Sequence, residues 1–385
     1  MGLPSNHSFY EYDVLVIGAG FFGLTLAHQI SNNSRLKVLV VDKRDHLGGN
    51  AYSYTEPDTN IEVHKYGSHL FHTSNERVWK FVNNFAKFNS YTHSVKTIHK
   101  NKIYSFPINL LTINQFLGKN FSPTVAQLWM QNEISMSNRS PENLEDQAIS
   151  LVGTKLYNAF IKGYTQKQWQ TDPKLLPKEI INRIPVRFDF NDRYFDDKYE
   201  GLPCNGYGKL FEEMVSTGKF DVELNFDFDV SKLDLSRFVQ VFYSGPIDRF
   251  FSYKFGVLGW RTIDFIEELH DVDIYQGTAV VNYADAEIPF TRIHEFKHLH
   301  PEREQSNEKT LIYKEFSRFA GKNDEPYYPI NSAADRDILL KYRDEAKKLK
   351  NVIFGGRLGR YLYLDMHMAI ASALSESDQF LAKFD

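Results

Sequence analysis

Apolar residues near the N-terminus fall in short unbroken runs. Tyr12-Asp-Val-Leu-Val-Ile-Gly18 is closed by a glycine, the pattern of a strand buried on both faces of a parallel sheet. A helix is predicted from about Phe22 to Asn32 and a second strand from Lys37 to Val41. Strand, helix and strand within about 30 residues make the smallest βαβ unit and imply a doubly wound sheet. From about Ser74 to Gln170 the spacing turns helical, as in Glu76–Phe88 and Val125–Ile134, with Pro107, Pro123 and Pro141 as punctuation. A mostly helical insertion over about 74–182 is therefore predicted. Between about Phe220 and His300 the runs shorten and favour Val, Phe, Tyr and Thr, as in Val239–Tyr243, Gly277–Asn282 and Thr291–Phe296. These read as an antiparallel sheet domain over about 183–200 and 221–320. The end returns to α/β texture: a charged amphipathic helix over Asp335–Leu349, a strand over Asn351–Gly355, and a helix from near Met366. The α/β domain is thus expected to be discontinuous, from 1–73 with about 201–220 and 321–385.

Composition narrows this picture. At 385 residues two or three domains are expected. The net charge of -4 gives no basic bias of the kind nucleic-acid partners require. Cys204 is the one cysteine, which rules out an internal disulfide and a cysteine metal cluster and fits a reducing compartment. No stretch reads as a secretory leader or reaches the roughly 18 apolar residues of a membrane span, so the cytoplasm is the expected location.

The first candidate site is the turn Gly18-Ala-Gly20-Phe-Phe22-Gly23. GxGxxG is weak alone, but here it follows a predicted strand and opens a helix. Gly18 allows the tight turn, Gly20 the approach of a pyrophosphate and Gly23 the packing of helix on sheet. The helix N-terminus offers free N–H groups to the phosphates. Asp42 closes the second strand 24 residues after Gly18, where a ribose-binding carboxylate belongs. Lys43-Arg-Asp-His-Leu-Gly48-Gly49-Asn50 resembles the second glycine pair of FAD enzymes of the two-dinucleotide-binding superfamily, and Gly355-Gly356-Arg357 resembles their second flavin-contacting turn. No second GxGxxG is present to hold NAD(P)H in a domain of its own.

Further segments go beyond the cofactor. His64-Lys-Tyr-Gly67-Ser-His69-Leu-Phe-His72, Tyr157–Trp169, Arg183-Ile-Pro-Val-Arg-Phe, Asp192-Arg-Tyr194-Phe and Tyr199-Glu-Gly-Leu-Pro resemble the bacterial UDP-galactopyranose mutases. So do Val281-Asn282-Tyr, Phe290-Thr-Arg292-Ile, Pro326-Tyr-Tyr328-Pro and Gly359-Arg-Tyr361-Leu-Tyr363-Leu-Asp365-Met366. The matches run in order from about residue 12 to 373.

The resemblance implies interconversion of UDP-galactopyranose and UDP-galactofuranose, with reduced FAD as nucleophile and no net redox change, to supply galactofuranose for cell-surface polysaccharide. It assigns catalytic roles to Arg183, Arg292 and His69. The arginines would bind the pyrophosphate leaving group, for which a permanently charged planar fork is suited. His69 would lie against the flavin ring. Uracil stacking is implied for Tyr194 and Phe160, with contacts from Thr165, Trp169 and Asn282, and phosphate bonds for Tyr164, Tyr328 and Tyr363. Asp365 would lie near the sugar. Gly18, Gly20, Phe22, Gly23, Asp42, Lys43, Gly49, Asn50, His69, Arg357, Asp365 and Met366 would hold the cofactor. Implied partners are a UDP-sugar, NAD(P)H or another reductant, and a second subunit docked through the helical insertion, with a mobile loop near Trp169–Arg183.

His64, His69 and His72 are not spaced as an i, i+4 metal pair, and Gly67 between them implies a loop, so no metal site is expected. For Phe160, helical spacing alone also fits a core position. No Ser–His–Asp or Cys–His arrangement stands out, as expected where a cofactor carries the chemistry. His367 stands where the family commonly has Asp, which bears on the sugar substituent accepted: UDP-N-acetylgalactosamine and a thymidine-linked deoxysugar are the alternatives. A flavin amine oxidase or desaturase is the rival from another reaction class, and a non-catalytic FAD-binding protein the third.

Overall fold

The computed structural model describes residues 8–135, 140–181 and 185–384. Its α/β half is a five-stranded, fully parallel sheet. The order across it is Val352–Phe354, Gln240–Tyr243, Val14–Ile17, Val38–Val41 and Phe220–Glu223. Val14–Ile17 and Val38–Val41 are buried at every position, as strands covered on both faces must be. The helix Phe21–Asn33 crosses between them and packs beside the long C-terminal helix Met366–Leu381. The last strand and helix therefore rejoin the first βαβ unit, as predicted.

The second sheet has seven strands, in the order Tyr328–Pro329, Trp260–His270, Thr310–Phe319, Arg292–Glu295, Val280–Tyr283, Val95–His99 and Lys102–Phe106. All its pairings are antiparallel except Val280–Tyr283 on Val95–His99.

Two expectations are corrected and a third is extended. Val239–Tyr243 is not antiparallel: Gln240–Tyr243 is central in the parallel sheet. All four of its residues are buried, as a strand covered on both faces requires. The mostly helical segment 74–182 also carries two strands that were not foreseen, Val95–His99 and Lys102–Phe106, a hairpin at the edge of the large sheet. Lys100 and Asn101, both at positive φ (49° and 59°), make its two-residue turn, the geometry that matches strand twist. The helix expected over Glu76–Phe88 stops at Val82. Asn83 ends it, its side chain donating back to the Trp79 carbonyl at 2.7 Å, the local competition that makes Asn a poor helix interior.

Helix Phe21–Asn33 lies tight on the strand before it. A Cβ on Gly23 would sit 1.9 Å from the Gly18 carbonyl oxygen and 3.1 Å from Val16 Cγ1. Gly23→Ala should therefore destabilise the fold by about 1–3 kcal/mol. Urea unfolding checks this; an unchanged midpoint would mean that the helix does not lie this close.

Candidate functional site

One cavity of about 530 Å³ opens at the C-terminal ends of the parallel strands, where ligands bind in open α/β sheets. Gly18, Gly20, Phe22, Asp42, Lys43, Gly49, Asn50, His69, Arg357, Asp365 and Met366 all line it. Gly23 is set back as the packing glycine. The fit to a dinucleotide rests on the glycine cradle. Gly18 holds φ 109°, and a Cβ on it would strike Ser244 Oγ at 2.0 Å, so the turn admits only glycine. At Gly20 the nearest atoms to a built Cβ are 4.0 Å away, which leaves open space for a ligand. Gly20 also caps the helix with no side chain in the way of its first N–H groups. Asp42 does double service: Oδ2 accepts from the Ala19 N–H at 2.7 Å, and Oδ1 accepts from the Arg44 N–H at 2.9 Å. The ribose-binding candidate thus also pins the turn.

Opposite this cradle stands the loop before Tyr327. Glu325 bridges Lys43 Nζ at 2.6 Å and Arg44 Nη2 at 2.8 Å. Arg44 also donates to Asn50 Oδ1 at 2.7 Å and lies over the Tyr66 ring. A carboxylate from the large sheet's side therefore clasps two cations of the βαβ unit at the cavity wall. Arg44 and Glu325 were missed in sequence, since their partnership joins distant parts of the chain.

His69 also reaches the cavity. Its Nδ1–H donates to the Gly67 carbonyl at 2.7 Å, and its backbone N–H donates to His64 Nδ1 at 3.0 Å. Burial outweighs the Gly67 bond and pushes its pKa down to about 4. A neutral imidazole results, with Nε2 as its remaining acceptor.

The arginine of the large sheet is built differently. Arg292 and Asn282 are register partners on neighbouring strands, and Arg292 and Glu315 are partners on the next pair. Arg292 Nε lies 3.2 Å from Glu315 Oε1, and its Nη2 donates to the Tyr164 hydroxyl. Burial disfavours the guanidinium charge, but Glu315 and the nearby tyrosines 164, 328 and 194 more than offset it. Burial likewise opposes the Glu315 carboxylate, yet Arg292 and the His294 bond hold its pKa down, to about 2. Neither Glu315 nor His294 was singled out in sequence, because a charged residue inside an alternating strand looks like a solvated one.

Tyr328 and Tyr363 stack in parallel at 5.5 Å, and the Arg357 guanidinium lies over both rings, donating to the Leu364 and Tyr327 carbonyls. Tyr164, Thr165 and Trp169 share the helix Lys162–Trp169. Buried Arg261, also missed, holds that helix's end through the Gln168 carbonyl at 3.1 Å. Asn282 Oδ1 is buried with no hydrogen-bond partner among the described residues, a group that a ligand donor would satisfy. Tyr194 is half-buried beside His93 and Phe195. Phe160 is 3% exposed and meets Tyr104, Phe116 and His99 edge-on. Its position is a core one. Arg183 lies outside the described residues.

Histidine spacing pointed away from a metal, but the fold brings together a trio that spacing could not show. His72, Asp365 and His367 offer ligand atoms within 4.8 Å of one another. Two of the three come from the far end of the chain.

Comparison with known proteins follows the same lines. The family described as UDP-galactopyranose mutase matches residues 159–363, and the NAD(P)-binding Rossmann-like domain matches residues 16–85. A probable UDP-galactopyranose mutase of Klebsiella pneumoniae is 43% identical over 370 residues, 96% of this chain and 95% of that protein. A dTDP-fucopyranose mutase of Escherichia coli is 41% identical over 365 residues, 94% of this chain and 96% of the other. Among solved structures, a reduced UDP-galactopyranose mutase superposes with a TM-score of 0.74 at 14% identity, covering 96% of this chain and 94% of that one. At that identity the likeness speaks for the fold.

Two outcomes test the geometry. Glu325→Gln should speed release of a bound dinucleotide several-fold, read by recovery of cofactor fluorescence on dilution; an unchanged rate would mean that the clasp does not retain it. Glu315 carries the pH signature. Its native pKa is depressed to about 2 from an ordinary 4.5, so its contribution to stability is complete above about 4.5 and is lost as pH falls toward 2. In Glu315→Gln the acid limb of stability against pH should be shallower over that window, as followed by denaturant titrations. An equally steep limb would contradict the buried pair.

Proposed function

Since the chain belongs to the UDP-galactopyranose mutase family, we propose that it interconverts the pyranose and furanose forms of a nucleotide-linked sugar, UDP-galactose first. The observation that carries this reading is the convergence, beside the dinucleotide cavity, of the Arg292–Tyr164 pair with the Tyr328–Tyr363–Arg357 stack. We assign the cavity to FAD on the strength of its glycine cradle, and give Gly18, Gly20 and Asp42 its pyrophosphate and ribose. When bound and reduced, FAD supplies a nucleophile for the anomeric carbon, so that the isomerisation needs no net oxidation.

The protein's own part is electrostatic. As the glycosidic bond breaks, charge grows on the diphosphate, and Arg292 presents a guanidinium held against the Glu315 carboxylate by charge at 3.2 Å and against the Tyr164 hydroxyl by a hydrogen bond. A donor fixed beforehand needs no reorganisation when the charge appears. Arg183 is proposed as its partner on the other phosphate, Tyr164, Tyr328 and Tyr363 as hydroxyl donors, and Tyr194, Asn282, Thr165 and Trp169 as the base subsite. Phe160 supports that subsite from its core position. Neutral His69 offers an acceptor toward the flavin ring without adding positive charge. Asp365, Met366, Lys43, Gly49, Asn50, Phe22 and Arg357 complete the cofactor wall. NAD(P)H or another reductant would charge the flavin, and the assembly is proposed as a cytoplasmic homodimer. Among the described residues no helix is long and apolar enough to cross a membrane.

The second reading is a thymidine-linked sugar. It is favoured by the 41% identity to a dTDP-fucopyranose mutase, close to the 43% of the uridine relative.

Purified protein is incubated with UDP-galactofuranose or dTDP-fucofuranose, with and without dithionite, and the products are separated by chromatography. Turnover should appear only after reduction and be faster with the uridine substrate; equal activity in both redox states would sink the reading. Arg292→Ala should lower kcat by about 10²–10³-fold while the flavin stays bound.

A further inference from the structure

His72 has no part in the reading above, yet it is among the most constrained side chains near the site. It lies in the strand Phe71–Thr73 and is 9% exposed. Nδ1 stands 2.6 Å from Asp197 Oδ2, and Asp197 Oδ1 accepts from the Ser74 hydroxyl at 2.7 Å. One ring face lies flat on Phe195, 3.6 Å away and 11° from parallel. The His367 ring meets it edge-on at 4.8 Å. A carboxylate at Nδ1 fixes both the plane of an imidazole and which nitrogen carries the proton, so that only Nε2 is left to act.

What stands beside it is Asp365. The ligand atoms of His72, Asp365 and His367 lie within 4.8 Å of one another. Asp365 occupies the N-cap position of the helix Met366–Leu381 but makes no side-chain capping bond. An aspartate there ordinarily accepts from the N–H two or three residues on. Its carboxylate lies out of the well that the helix end offers, within 4.8 Å of a ring nitrogen of each histidine.

We propose that His72, itself oriented by Asp197, is a positioning residue that keeps Asp365 turned out of the helix cap and toward the sugar. The proposal rests on the mutase reading, since the orientation of Asp365 matters only if a sugar stands before it. Arg193, which donates to the Asp197 carbonyl, and Glu200 and His93 on the neighbouring segments complete the charged and titratable surroundings.

Two conservative variants separate the two ends of the ring. Asn at 72 places an amide nitrogen near Nδ1 and satisfies Asp197 but stops short of Asp365; Gln reaches the Nε2 position. His72→Asn should lower kcat about 10- to 100-fold, with KM, UDP affinity, flavin content and melting temperature little changed. His72→Gln should recover most of the loss. Combined with Asp365→Asn, His72→Asn should cost nothing further, because the two act as one unit.

An unchanged kcat in His72→Asn, or losses that multiply in the double variant, would overturn the proposal. So would activity that disappears with a chelator and returns with zinc, since the trio would then be holding a metal. Absence of turnover in the unmodified protein would instead remove the mutase reading beneath it.

Discussion

Glu315 is a carboxylate sealed inside a β-sheet, 3% exposed, and such a charge is tolerated only when every side of it is answered. Arg292 answers one oxygen, together with the Thr291 hydroxyl at 2.8 Å; His294 Nε2 answers the other at 3.0 Å. The consequences run in two directions. Toward the helix Lys162–Trp169, Glu315 stands against the guanidinium that also meets Tyr164. Toward the cofactor side, His294 Nδ1 accepts from the Ser68 hydroxyl at 2.8 Å, and Ser68 adjoins His69 on the loop that enters the dinucleotide cavity. Burial keeps His294 low in pKa, which fits a neutral ring that donates at one nitrogen and accepts at the other. One buried charge thus ties the large sheet to the loop that enters the cavity.

The clasp of Glu325 on Lys43 and Arg44 makes a second tie between the same two halves, nearer to solvent and correspondingly weaker. The cavity lies between these ties. Its walls come from the first βαβ unit and the turn at Gly356–Arg357, at the carboxyl ends of parallel strands, and from the loop before Tyr327, which follows Thr310–Phe319 of the large sheet. The parallel sheet supplies the glycine cradle of that cavity, and the bridging charges join it to the large sheet that carries Arg292.

How much of this was legible depended on whether the signal was local. The βαβ unit, the glycine turn and Asp42 could be read because each stands at a fixed offset along one short segment. The return of the chain through Val352–Phe354 and Met366–Leu381 could be read for the same reason. Gln240–Tyr243 was misplaced because its four residues fit either kind of sheet, and only its pairing with Val14–Ile17 decides. The hairpin Val95–Phe106 was hidden among helices because its turn, Lys100-Asn101, lacks the glycine that usually marks one. In the site, the resemblance named the expected contact residues, and eleven of those expected at the cofactor line one cavity. The residues that hold those in place, Glu315, Glu325, Asp197 and His72, carry no local signature. Their roles exist only through partners tens to hundreds of positions away.

The chemical claim is that a redox cofactor is used here without net redox change, and the rival within the same architecture is an oxidase. The two differ in electron bookkeeping. Protein is reduced once under anaerobic conditions, excess reductant is removed, and a large excess of UDP-galactofuranose is added while flavin absorbance and product are followed together. The account predicts many product molecules per flavin, with the flavin still reduced at the end. Product limited to one equivalent per flavin, or reoxidation of the flavin in step with product, would contradict it.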